Sequence, residues 1–158
     1  MKKGIVAMFS GLLGATVGAV VAGNVQGKTI EKKSEKVDKF KAYYNLLNQW
    51  LSLRQEGKTL EKYFADNNIK TIAIYGMGEL GNRLFDELKN STVTVKYAID
   101  KNAESTYSEI EVIDPENDFE PVDAIIVTAV FAYDKIEEML REKTDIQILS
   151  LEDVVYEV

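Results

Sequence analysis

The amino-acid sequence predicts an α/β fold, a small doubly wound parallel sheet preceded by a single transmembrane helix and a helical stalk. Three observations carry this. Short apolar runs rich in β-branched residues, at 71–75, 93–99 and 122–128, alternate with segments of helical spacing. A glycine-rich turn follows the first run directly. Residues 4–23 form a stretch of 20 without a charge, which as a helix matches the roughly 30 Å hydrocarbon core of a bilayer. The expected organisation is an anchor at 1–27, a basic juxtamembrane linker and stalk at 28–68, and the sheet domain at 69–158.

In the anchor, Ser10, Gly14, Gly18 and Ala22 fall on one i, i+4 ridge, and Ala7, Gly11, Ala15, Ala19 and Gly23 on a second. Small-residue ridges let helix backbones approach closely in lipid, so the Gly14/Gly18 pair offers a route to a homodimer or a membrane partner. Such residues are also common in ordinary spans. A cleaved signal peptide is the rival reading, with Lys2 and Lys3 as its basic start and Val21-Ala22-Gly23 as a small-residue cleavage site. Lys28, Lys32, Lys33, Lys36, Lys39 and Lys41 follow the span, and this excess of cations favours an uncleaved single-pass anchor in the cell membrane with the C-terminal domain cytoplasmic.

The stalk follows. Val37, Phe40, Tyr44, Leu47 and Leu51 recur at 3-4-3-4 spacing, with Trp50 and Leu53 widening the stripe, and Gly57 ends the pattern. Two heptads fit either a dimeric coiled coil or a helix packed on its own domain, and the second is preferred. Thr59 is the expected N-cap of a short helix at 60–65.

Residues 71–75 then read as a buried strand leading into Gly76-Met77-Gly78-Glu79-Leu80-Gly81 and a helix at 82–90. A second strand at 93–99 ends at Asp100, 19 residues beyond Gly81. Strand, glycines, helix, strand and acid in this order form a dinucleotide-binding fingerprint. Gly76 permits the tight turn, Gly78 lets a pyrophosphate approach the backbone, and Gly81 lets helix and strand pack closely. The helix N-terminus presents unpaired N–H groups to phosphates. Asp100 would accept from ribose hydroxyls. Glu79 could compete with a phosphate, and Lys101 softens discrimination against a phosphorylated ribose.

The remaining elements are a short strand at 109–113, a strand at 122–128, and an amphipathic helix at 133–142 with Ile136, Met139 and Leu140 inward. A last strand at 145–149 leads to a capping box, Ser150-Leu-Glu-Asp153. Ligands of such sheets bind at the carboxyl ends of the strands, which puts Thr128 and Ala129 beside the glycine turn.

Composition bounds the chemistry. The 158 residues include no histidine and no cysteine. Ser-His-Asp and Cys-His nucleophiles, thiolate or imidazole zinc sites and disulfides are therefore excluded. Residues 1–70 carry 12 Lys and Arg against 6 Asp and Glu, and residues 71–158 carry 7 against 20. So acidic a distal half does not suit nucleic acid, whereas the basic half beside an apolar span suits a membrane surface. Tyr97 and Lys101 have the Y-x-x-x-K spacing of short-chain dehydrogenases, but straddle a strand end rather than share a helix face. The acids between Glu104 and Glu120 make no recognisable metal set. The sequence holds no catalytic constellation.

The stretches Ile74-Tyr-Gly-Met-Gly-Glu-Leu-Gly81, Tyr97-Ala-Ile-Asp-Lys-Asn102, Asp123-Ala-Ile-Ile-Val-Thr128 and Ile148-Leu-Ser-Leu-Glu-Asp153 resemble the Rossmann-like nucleotide-binding domain of bacterial surface-polysaccharide biosynthesis proteins. That domain heads membrane-bound nucleotide-sugar dehydratases and epimerases. The resemblance implies that Gly76, Gly78, Gly81 and Asp100 hold NAD or a nucleotide-sugar, and that a membrane-embedded polysaccharide-assembly enzyme is a partner. The family's catalytic domain has no counterpart in these residues. Three functions follow as expectations: an accessory nucleotide-binding module, a minimal nucleotide-sugar oxidoreductase or epimerase completed by a partner, and a membrane scaffold with a vestigial fold.

Overall fold

The computed structural model describes residues 36–158. The expected membrane span at 4–23 lies outside them, and no helix among the described residues is long and apolar enough to cross a membrane. The chain divides into two units, Met1–Lys41 and Ala42–Val158. Of the first, residues 36–41 are helical, and Val37 and Phe40 are exposed.

The second unit starts with helix α1, residues 42–55, and α2, Leu60–Asp66. Five strands follow: β1 (Thr71–Tyr75), β2 (Thr94–Ile99), β3 (Val112–Ile113), β4 (Ala124–Val127) and β5 (Gln147–Ser150). They interleave with α3 (Glu79–Leu88), α4 (Tyr133–Arg141) and α5 (Leu151–Tyr156). Every pairing is parallel and the order is β3-β2-β1-β4-β5. The α/β class and the parallel sheet are thus as expected, consistent with a Rossmann-like fold.

Strand alternation splits the core into two layers. Ile72, Ile74, Ala124 and Ile126 point to the side covered by α1, α2, α3 and α5, while Ala73, Tyr75, Ile125 and Val127 point to the side covered by α4. The register of β2 on β1 slips between Ile72 and Ala73, skipping Lys96. The slip resets the alternation and brings Tyr97 onto the same face as Tyr75.

The α4 face is thinly covered, and the connection from β2 to β3 shows why. It contains a 3₁₀ turn, Ala103–Ser105, in place of a crossover helix. The strand expected at 109–113 shrinks to Val112–Ile113, pairing with Ala98 and Ile99. Its first residues are charged or half-exposed, so only two have apolar neighbours to pair beside.

Helix α1 faces two ways. Leu46, Trp50 and Leu53 join the core, so the helix packs on its own domain, and the compact unit reaches back into the expected stalk. Tyr44 and Leu51 of the other stripe remain 64% and 56% exposed. The helix closes at Gly57, where Lys58 N–H bonds back to the Leu53 carbonyl at 2.9 Å.

The cap of α2 differs from expectation. Thr59 precedes the helix but its side chain makes no capping bond; the first helical amide, Leu60 N–H, donates to Glu87 Oε1 of α3 at 2.8 Å. Ser150 does cap α5, accepting from Glu152 N–H at 3.2 Å while it ends β5.

At the amino-terminal edge of the sheet Asp123 accepts from Lys70 N–H (2.9 Å), Thr71 N–H (2.8 Å) and the Thr71 hydroxyl (3.0 Å). These bonds hold its carboxyl below the usual carboxylate range. A depressed folded pKa stabilises above the unfolded value of about 3.9 and ceases to do so as pH falls through the lowered one. The difference in Tm between wild type and Asp123→Asn is therefore expected to be largest near neutrality and to shrink on acidification. A difference that stays constant from neutral to acid pH would remove Asp123 from the acid response.

Candidate functional site

The site forms where β1, β2 and β4 end. Gly76 leaves β1 with φ +96°, in the region that favours glycine, and a Cβ there would lie 2.9 Å from Thr128 Oγ1. Gly76 N–H donates to the Ile99 carbonyl at 2.8 Å, tying the turn to β2. The buried Thr128 hydroxyl donates to the Gly76 carbonyl at 2.6 Å, with the Tyr75 carbonyl at 3.2 Å as a second acceptor, tying it to β4. The Asn82 side-chain amide donates to the Met77 and Gly78 carbonyls at 3.1 and 3.0 Å, tying it to α3. Three neighbours thus hold the turn before any ligand arrives.

Asp100 ends β2 beside this turn. Its Oδ2 accepts from Met77 N–H and its Oδ1 from Asn102 N–H, both at 2.9 Å. A carboxylate has about four lone-pair sites, so each oxygen keeps one direction for a further donor. Gly78 is the N-cap of α3 and has no side chain with which to cap it. The first-turn amides of α3 are left to water or to a ligand.

The sequence-predicted residues divide by role. Gly76, Asp100, Lys101 and Ala129 line one cleft of about 490 Å³. Gly78 and Glu79 lie exposed at the start of α3. Met77 and Leu80 turn their side chains into the core, so only their backbone is at the turn. Gly81 is a packing position: a Cβ would stand 2.1 Å from the Gly76 carbonyl oxygen. Thr128 is buried behind the turn and braces it.

Tyr75, Ala132, Lys135, Ile136 and Met139 complete the cleft wall. The helical spacing turns Ile136 and Met139 inward, and both pack against the core while also lining the cleft; it gives Tyr75 and Lys135 no role. One signal was available for Tyr75, the polar atom that ends an otherwise apolar strand at the ligand-binding edge. For Lys135 there was none, because the approach of α4 to Asp100 is set by packing.

Tyr97 and Lys101 do not act as a pair. Tyr97 donates to the Glu120 carbonyl at 2.7 Å, and burial, with the Glu120 charge, pushes its phenol up to about 12. An acid–base tyrosine requires the opposite shift. Lys101 lines the cleft instead. Compared with protein-family models, with curated proteins and with solved structures, the chain matches none.

Proposed function

We propose that the protein is a nucleotide-binding module, taking NAD or a nucleotide-sugar, tethered at a membrane and accessory to cell-surface polysaccharide assembly. One observation supports the binding reading above others: Gly76, Asp100 and Ala129 line an open cleft at the carboxyl ends of β1, β2 and β4, and the uncapped start of α3 follows two residues after Gly76. In open parallel sheets this is where ligands bind. The tether and the polysaccharide setting rest on residues 4–23 and on the sequence resemblance. Pairing of two copies through the exposed Tyr44 and Leu51 stripe belongs to the same proposal.

A second reading, a scaffold that binds nothing, draws on Asp100. Both its oxygens already serve backbone amides, as in a turn that needs no ligand for its stability. Asp100 is for that reason a poor test position, since its removal loosens the turn. Gly78 is better. A Cβ there meets nothing within 4 Å, and the backbone is extended, at φ −75° and ψ −159°.

Gly78→Val is expected to fold, losing about 1 kcal/mol at the helix cap, while its side chain blocks phosphate approach. The measurement is a thermal-shift titration of the full-length chain with NAD, NADP, CoA and UDP-glucose. A ligand at a hundred times its Kd adds about 2.7 kcal/mol to the wild type. The expected result is a shift in the wild type that is lost in Gly78→Val. No shift in the folded wild type with any of the four would leave the scaffold reading.

A further inference from the structure

The α4 face of the sheet carries three buried or half-buried tyrosines, Tyr75, Tyr97 and Tyr133. Two have hydrogen-bond partners: Tyr97 donates to the Glu120 carbonyl at 2.7 Å and Tyr133 to the Ile148 carbonyl at 3.2 Å. Tyr75 does not. The residue is 4% exposed, yet its hydroxyl is, among the described residues, the buried side-chain polar atom without a partner. Buried hydroxyls in native structures are nearly always paired, and an unpaired one lowers stability. A phenylalanine would fill the same space without that cost. The position that bears the penalty lines the cleft beside Gly76 and Asp100.

The cleft's charges add a second point. Lys101 and Lys135 both line it, and neither enters an ion pair among the described residues, although the domain is strongly acidic. Ile136, Met139, Ala129 and Ala132 supply apolar walls. With the Asp100 carboxylate on the same wall, the two lysines still leave the lining net positive, and with apolar walls and one unused donor the cleft is complementary to an anion that also bears an uncharged acceptor.

We propose that Tyr75 is a ligand-binding residue whose hydroxyl donates to an uncharged acceptor of a nucleotide's base or sugar, while Lys101 and Lys135 draw the nucleotide's negative charge toward the cleft. This rests on the nucleotide reading above and adds to it the residues that select the ligand. The hydroxyl is a donor at neutral pH, since burial and the charges of Asp100, Asp114 and Glu116 raise its pKa. Lys101, Lys135 and Met139 are unbranched side chains, so the wall can open toward the ring at small cost.

The test uses the full-length chain, calorimetric titration with UDP-glucose and with NAD, and thermal melts without ligand. For whichever nucleotide binds the wild type, Tyr75→Phe is expected to weaken binding about tenfold, while the ligand-free Tm holds or rises. Lys135→Glu is expected to weaken binding by a similar factor and to flatten its salt dependence. Unchanged affinity in Tyr75→Phe, with binding still abolished by Gly78→Val, overturns this proposal and leaves the nucleotide reading standing. A Tm that falls in Tyr75→Phe also overturns it, because the hydroxyl then stabilises the fold. No binding of either nucleotide to the wild type overturns both.

Discussion

Gly81→Ala is expected to lose roughly 3 kcal/mol of folding stability, at the upper end for an overpacked core position. The added Cβ would stand 2.1 Å from the Gly76 carbonyl oxygen, 3.1 Å from its carbon and 3.5 Å from Ile74 Cγ2. The first contact is with backbone, which cannot rotate aside as a side chain can. The carbonyl it meets is fixed in turn by the Thr128 hydroxyl, and the Gly76 amide by Ile99. Relief requires either α3 to lift off β1 or the turn to give up its bonds to β2 and β4. In urea denaturation the midpoint should fall with an unchanged slope. Gly78→Ala, where the same methyl group meets open space, is the control and should stay within about 1 kcal/mol of wild type. An equal small effect at both positions would mean that the turn slides freely, and the case for a preformed phosphate site would weaken with it.

The contrast between these two glycines marks how far the sequence could be read. The glycine pattern locates the turn and marks Gly81 as the close-packing position, because spacing along a strand–turn–helix unit is local geometry. The strands at β1, β2 and β4 are legible for a related reason: each is a short run rich in β-branched and apolar residues in alternation with helical segments. β3 was over-read, since its pairing depends on how far the loop from β2 travels, and the apolar signal there is two residues long. What Asp100 does was half-legible. Its position at the end of β2 follows from spacing, but its bonds to Met77 and Asn102 depend on how closely two loops approach. Thr59 shows the limit most clearly. Its residue type and position suit an N-cap, yet its side chain caps nothing, and the first helical amide, Leu60 N–H, is served by Glu87, 27 residues later in the chain.

Glu87→Ala carries the second large effect, a loss on the order of 3–4 kcal/mol. The carboxylate is nearly inaccessible and serves two elements at once: Oε1 accepts from Leu60 N–H at 2.8 Å and Oε2 from Trp50 Nε1 at 2.6 Å. Arg54 lies 3.7 Å from Oε1 and partly balances the charge. Truncation leaves two buried donors without partners and withdraws charge-assisted bonds, each loss worth more than a neutral hydrogen bond. Glu87→Gln keeps one acceptor oxygen and should lose about half as much.

Trp50 is the only tryptophan in the chain, so its fluorescence reports the α1 contact alone while circular dichroism reports the whole. In wild type the two unfolding transitions should coincide, because Trp50, Leu60 and α3 share one core. In Glu87→Ala the fluorescence transition should come first, as α1 and α2 lose the side chain that pins them to α3. Coincident transitions in the variant would show that apolar packing by Leu46, Trp50 and Leu53 suffices without the clamp. The outcome bears on the site as well. The helix that Glu87 anchors near its carboxyl end is the one capped by Gly78, so the contact holding α1 and α2 also helps to fix the first-turn amides of α3. A weakened nucleotide affinity in Glu87→Ala, measured below its first transition, would mean that the packing of α1 is felt at the glycine turn.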